Sequence, residues 1–136
     1  MSNFEIHPTL QESCHLVAEP AGAHLLLNKN AIIPWFILVP HTEIQDFLDL
    51  PPHQRHEIDA ICANVSNFIR SELGSPKINF AAIGNLVPQM HLHIVGRDPN
   101  DPCWPAPIWG NLKETAAYSE EKLESIRLKL ETVLKI

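Results

Sequence analysis

Apolar residues fall in two rhythms along this chain. Short runs bounded by turn-forming residues read as strands: His24 to Leu27, Trp35 to Pro40, Lys77 to Ile83, and a segment from Pro88 to about Gly96. Between the first two, Asn28-Lys29-Asn30-Ala31-Ile32-Ile33-Pro34 makes a turn and an approach. The helical period occurs twice. After Pro51-Pro52, Ile58, Ile61, Val65, Phe68 and Ile69 fall on one face, and Gly74 then Pro76 stop the helix. From about Ser119, Leu123, Ile126, Leu130, Val133 and Leu134 make a second stripe. The spacing Thr42-x-x-Gln45 is that of a capping box and predicts a short helix to about Leu48. Asp98 to Gly110, rich in proline and tryptophan, reads as irregular. Strands joined by short turns, with helices grouped apart, predict an α+β fold on an antiparallel sheet.

Composition narrows the function. A chain of 136 residues and 15.3 kDa fits one domain, residues 1–136, with a real core. The net charge of −6 argues against non-specific nucleic-acid binding and against a basic membrane-facing surface. An anionic substrate must therefore be held by local donors. Cys14, Cys62 and Cys103 are odd in number, widely spaced and form no CxxC pair. With no signal peptide and no run long enough to span a membrane, they read as reduced thiols of a cytoplasmic protein.

The chemistry concentrates in Gln89-Met90-His91-Leu92-His93-Ile94-Val95. In an extended strand, Gln89, His91 and His93 share one face, while Met90, Leu92 and Ile94 point into a core. Imidazole changes charge nearest to neutral pH, so this row of side chains can attack, donate a proton or bind a metal. His53 and His56 lie on the long helix, with His56 off its apolar stripe, and read as solvent-exposed. His7, His15, His24 and His41 have no partner at a meaningful spacing.

The motif resembles that of the histidine-triad (HIT) superfamily of nucleotide hydrolases and transferases, His-φ-His-φ-His-φ-φ with φ apolar, at every position but the first. The resemblance extends over residues 20 to about 97. Leu27 to Pro34 and the following Phe36-Ile37-Leu38-Val39-Pro40 look like the family's ribose-contacting strand and its successor. Asn79 and the turn Gly84-Asn85 fall where the family places small and amide residues near phosphate. The resemblance implies about five antiparallel strands with a long helix and a C-terminal helix, a homodimer, and hydrolysis of dinucleoside polyphosphate-like anhydrides at the α-phosphate. His91 would be the nucleophile, its other ring nitrogen held by a main-chain carbonyl, and His93 would stabilise a phosphate oxygen. Asn28 would read the ribose hydroxyls, and Gly84 and Asn85 would hold phosphate. No resident cofactor or metal is implied; magnesium can accompany the substrate phosphates.

Two positions depart from the family pattern. Gln89 replaces the first histidine, and an amide cannot supply a proton. General-acid help is worth about 10²–10⁴-fold, so its loss is felt most with poor leaving groups such as amines. Phosphoanhydrides should therefore be better substrates than phosphoramidates. Leu86 stands where many relatives carry a hydroxyl, and has no catalytic part. Trp104 and Trp109 read equally as nucleobase-stacking residues or as packing on the sheet or at a subunit interface. Two other functions are compatible with the residues: a nucleotide-binding protein without turnover, or an HxH metal site. The metal reading lacks the glutamate and the later histidine that such a site needs.

Overall fold

The computed structural model describes residues 4–136. Its elements run α1 (Pro8–Ser13), β1 (Cys14–Ala18), β2 (Ala23–Asn28), β3 (Trp35–Pro40), a 3-10 turn (Phe47–Asp49), α2 (Pro52–Leu73), β4 (Lys77–Ala82), β5 (Leu92–Arg97) and α3 (Glu120–Leu134). The strands form one antiparallel sheet in the order β1-β2-β3-β5-β4. The fold is therefore α+β, with β5 inserted between β3 and β4.

Strand alternation gives the sheet two different faces. Leu25, Leu27, Phe36, Leu38, Leu92 and Ile94 join Ile58, Val65, Phe68 and Ile69 of α2 and Leu123, Ile126 and Leu130 of α3 in the main core. Gly74 ends α2 at φ 74°, a left-handed turn that a Cβ would strain. Ser119 caps α3 by accepting from Lys122 N–H at 3.1 Å. The opposite face has no long helix. There, Leu10, Cys14, Leu26, Ile37, Val39 and Val87 form one small cluster, and Ile33, Val95, Cys103 and Ile108 another. Between those two clusters lies the site. Among the described residues, no helix is long and apolar enough to cross a membrane.

The two long predicted helices and the four predicted strands are present within a few residues. Three features differ. No helix follows Thr42: its hydroxyl accepts from Ile44 N–H at 3.1 Å in a local turn, and regular structure resumes only at Phe47. The strand carrying the histidines begins at Leu92, so Gln89 and His91 precede it. The sequence pattern places neither α1 nor β1, although the five strands agree with the number the resemblance implies.

Gly96 explains how β5 meets α2. A Cβ there would sit against Ser75 Oγ and 2.6 Å from Ile69 Cγ2, both in the tight exit from α2. Gly96→Ala should therefore lower stability by about 1–3 kcal/mol, the usual cost of overpacking, with urea unfolding as the measurement.

Candidate active site

His91 and His93 stand side by side, ring centroids 4.9 Å apart, and both are buried. Their tautomers follow from their partners. His91 Nδ1 lies 2.7 Å from the Gln89 carbonyl oxygen. A carbonyl only accepts, so Nδ1 carries the proton, and in the neutral ring the lone pair is on Nε2. His93 has the reverse arrangement. Trp35 Nε1–H, which only donates, gives its hydrogen bond to His93 Nδ1 at 2.9 Å. In the neutral ring the proton must then be on Nε2. Burial, reinforced by neighbouring His91, pushes His93 down to about 4, so it is neutral at physiological pH. One ring offers a lone pair and its neighbour offers a hydrogen, from the same nitrogen position.

The pairing of β3 with β5 creates this arrangement. Trp35 is opposite Val95 and Ile37 is opposite His93, so the indole reaches diagonally to the His93 ring. Trp109, from the irregular stretch after β5, closes edge-on to both, 5.0 Å from His93 and 6.1 Å from Trp35. That stretch is anchored by fully buried Arg97. Its guanidinium grips Asp101 at 2.8 and 3.0 Å and donates to Asn79 Oδ1 at 2.9 Å. The Arg97 hydrogen bonds hold the Asp101 carboxyl down to about 2. The same carboxylate accepts from the main-chain N–H groups of Asp98, Cys103 and Trp104, which fixes the turn.

The two imidazoles line a cavity of about 510 Å³. Thr9, Leu10 and Ser13 of α1 form one wall; Asn28, Trp35 and Trp109 form another; Ile83 to Val87 form the rim. Asn28 Oδ1 accepts from Asn30 N–H at 2.9 Å, so the residue shapes its turn while bordering the cavity. Gly84, at φ 64°, and exposed Asn85 also border it, with Leu86 at the mouth, 95% exposed. No lysine, arginine, aspartate or glutamate is among the lining residues.

Other predicted residues are placed elsewhere. Gln89 does not line the cavity. Its side chain is bonded instead to the main chain of Glu5 and His7, the segment leading into α1. Asn79, expected near phosphate, lies one alternation beyond His93, opposite Val95, and is held by Arg97. Trp104 covers Arg97 with its ring, 5.7 Å from the guanidinium carbon, and does not reach the cavity. His53 and His56 are exposed. His24 and His41 pair at 2.6 Å, with Glu19 3.1 Å from His24, away from the cavity. All three cysteines are free and buried, and burial pushes the Cys62 thiol up to about 12. Among the described residues, no group of three or more His, Cys, Asp or Glu is placed to hold a metal ion.

Sequence reasoning passed over Trp35 and the α1 wall. Alternation alone could have flagged Trp35, since Phe36 and Leu38 are the core-facing positions of that strand. The helix α1 is six residues long, too short for periodicity to reveal, though Pro8 at its start and Ser13 at its end are local signals.

Comparison with known proteins agrees with this architecture. The HIT domain family model matches residues 9–100. A histidine triad protein from Marinobacter aquaeolei is 34% identical, with 97% of this chain and 96% of that one covered and a TM-score of 0.87. A histidine triad protein from Sinorhizobium meliloti is 26% identical over 96% of each chain, also with a TM-score of 0.87. A diadenosine triphosphate hydrolase from Plasmodium falciparum shares the fold at 14% identity, over 98% of this chain and 79% of that one, with a TM-score of 0.59. No curated protein matches by sequence. The chain belongs to the HIT family.

Proposed function

We propose that this chain is a nucleotide hydrolase that cleaves phosphoanhydrides of the dinucleoside polyphosphate type at the α-phosphate, through a nucleotidyl-histidine on His91. The observation that carries the reading is the pair of opposed tautomers on adjacent imidazoles. His91 Nε2 supplies the lone pair that forms the N–P bond, while the P–O bond to the leaving phosphate breaks and that oxygen keeps the electron pair. His93 Nε2–H donates to a non-bridging oxygen of the same phosphorus, where negative charge builds in the transition state. Water then attacks phosphorus, the P–N bond breaks, its electron pair returns to Nε2, and the water proton is released to solvent. The product is a nucleoside monophosphate.

The surroundings support the same reading. A cavity of about 510 Å³ is within the range of small-molecule sites. Trp109 and Trp35 offer aromatic surface beside the reacting pair. The amides of Asn28 and Asn85 supply neutral donors for ribose and phosphate. With no carboxylate in the lining, magnesium would enter as a counter-ion of the substrate phosphates. The name of the Plasmodium relative in fold, a diadenosine triphosphate hydrolase, suggests the substrate type.

A homodimer is part of this proposal. β4 is an edge strand whose outer side is unpaired, and Phe80 on it is 53% exposed, with Ile83 beyond it at 44%. Exposed apolar edges are natural templates for pairing with a second copy.

Three outcomes test the proposal. His91→Ala should abolish release of nucleoside monophosphate from diadenosine tetraphosphate, and quenched parent enzyme should show one added nucleotidyl mass by mass spectrometry. Nucleotide binding without turnover in the parent would instead mark a binding protein. Trp35→Phe removes the donor that fixes the His93 tautomer while leaving the ring buried, so the Nδ1-protonated form should become populated, read by nitrogen NMR of the ring, while burial and neighbouring His91 still hold its pKa down. Its kcat should fall roughly ten- to hundredfold, the scale of losing an orienting partner. Sedimentation should show the parent at twice the chain mass, and Phe80→Lys should shift it towards monomer.

A further inference from the structure

Gln89 is bonded to parts of the molecule far from it in sequence. Its Oε1 accepts from His7 N–H at 2.8 Å, and its Nε2 donates to the Glu5 carbonyl at 2.8 Å. Flanking a residue in this way, one bond to the carbonyl before it and one to the N–H after it, is the pattern of a parallel ladder. The side-chain amide takes the place of the N–H and C=O that one residue of a neighbouring strand would offer. At its other end, the Gln89 main-chain carbonyl takes the Nδ1–H of His91 at 2.7 Å.

The segment held by this amide leads directly into the cavity wall. His7 caps α1, its Nδ1 accepting from Thr9 N–H at 3.1 Å, and its carbonyl accepts from Leu10 and Gln11 N–H. Thr9, Leu10 and Ser13 then face the cavity. Leu10 belongs to the same buried cluster as Ile37 and Val87, which line the cavity from β3 and from the rim. A six-residue helix has little stability of its own, so its placement depends on such attachments.

We infer that Gln89 is a positioning residue: its amide clasps residues 5–7, seats α1 as the wall that receives the nucleoside part of the substrate, and couples that wall to the orientation of His91. The inference deepens the hydrolase reading and rests on it for the identity of the ligand. It assigns the first triad position a structural task that only a side chain with one donor and one acceptor, spaced as in an amide, performs. It also removes that position from direct contact with the leaving group.

The test compares the parent with Gln89→Glu, which keeps shape and one acceptor but loses the donor, and Gln89→Ala. Hydrogen exchange of amides 5–13 should speed up roughly tenfold or more in Gln89→Ala, the scale of losing two ordinary hydrogen bonds, and by a smaller factor in Gln89→Glu, which loses only the bond to the Glu5 carbonyl. The Kd for adenosine monophosphate, by calorimetry, should rise by a similar factor. The kcat on diadenosine tetraphosphate and on adenosine phosphoramidate should fall by equal factors. Unchanged exchange would overturn the clasp. A kcat loss larger for the phosphoramidate, at unchanged Kd, would overturn it too, because Gln89 would then act on the leaving group. If the parent binds no nucleotide, the hydrolase reading and the wall's assigned ligand fail together, while the exchange arm still decides the clasp.

Discussion

The pairing of β3 with β5 is the constraint on which the site depends. These strands are distant in sequence, and only their register puts Trp35 within reach of the His93 ring. The pairing is held from the other face by the main core, where Phe36 and Leu38 of β3 meet Leu92 and Ile94 of β5 under α2 and α3. A slip of one residue would carry the whole row of site residues to the helix side of the sheet. Register in this protein is therefore specified by hydrophobic burial and read out as the geometry of the histidine pair.

Low polarity around the imidazoles then turns geometry into defined proton positions. Water could satisfy either nitrogen of an exposed histidine, leaving both tautomers populated. Here each Nδ1 has one fixed partner of fixed sense, a carbonyl for His91 and an indole N–H for His93. Because leaving such groups unpaired in a buried setting is costly, the partner dictates the tautomer. Burial also opposes a positive charge on His93. The two rings are thereby made unlike each other, although the sequence spells them identically.

Much of this is legible in the sequence, and what is not has physical causes. The helices α2 and α3 were readable because long amphipathic periods and strong stops, Gly74 and the Ser119 cap, survive any tertiary context. The strands β2 to β5 were readable as short apolar runs. α1 was not, since six residues make less than two turns, and β1 sits at a sheet edge with a mixed pattern. Thr42 misled because a hydroxyl that starts a helix also closes a local turn. His91 and His93 were found from alternation. Trp35 was not, because its importance lies in a cross-strand partner 58 residues away. Alternation puts Gln89 beside the histidines, but it cannot show the His7 and Glu5 main chain, more than 80 residues away, that holds the Gln89 amide.

The charge pattern constrains how such a site handles an anion. The chain carries a net −6, and no lysine, arginine, aspartate or glutamate lines the cavity. Attraction of a polyphosphate therefore cannot come from a positive field around the site. What the cavity offers instead is apolar wall for a nucleoside and a few neutral donors placed at one end of it. Donors in a water-poor setting gain most where charge is concentrated during reaction, and they need no reorganisation to respond. A lysine in the same place would grip ground state and transition state alike, lowering KM without lowering the barrier. In the proposed reaction, neutral His93 would avoid this, because its hydrogen bond would strengthen as the phosphoryl oxygen gains charge. Burial, with His91 beside it, keeps that ring neutral, and Trp35 fixes which nitrogen carries its proton, so the aromatic wall and the electrostatics of the site are one device.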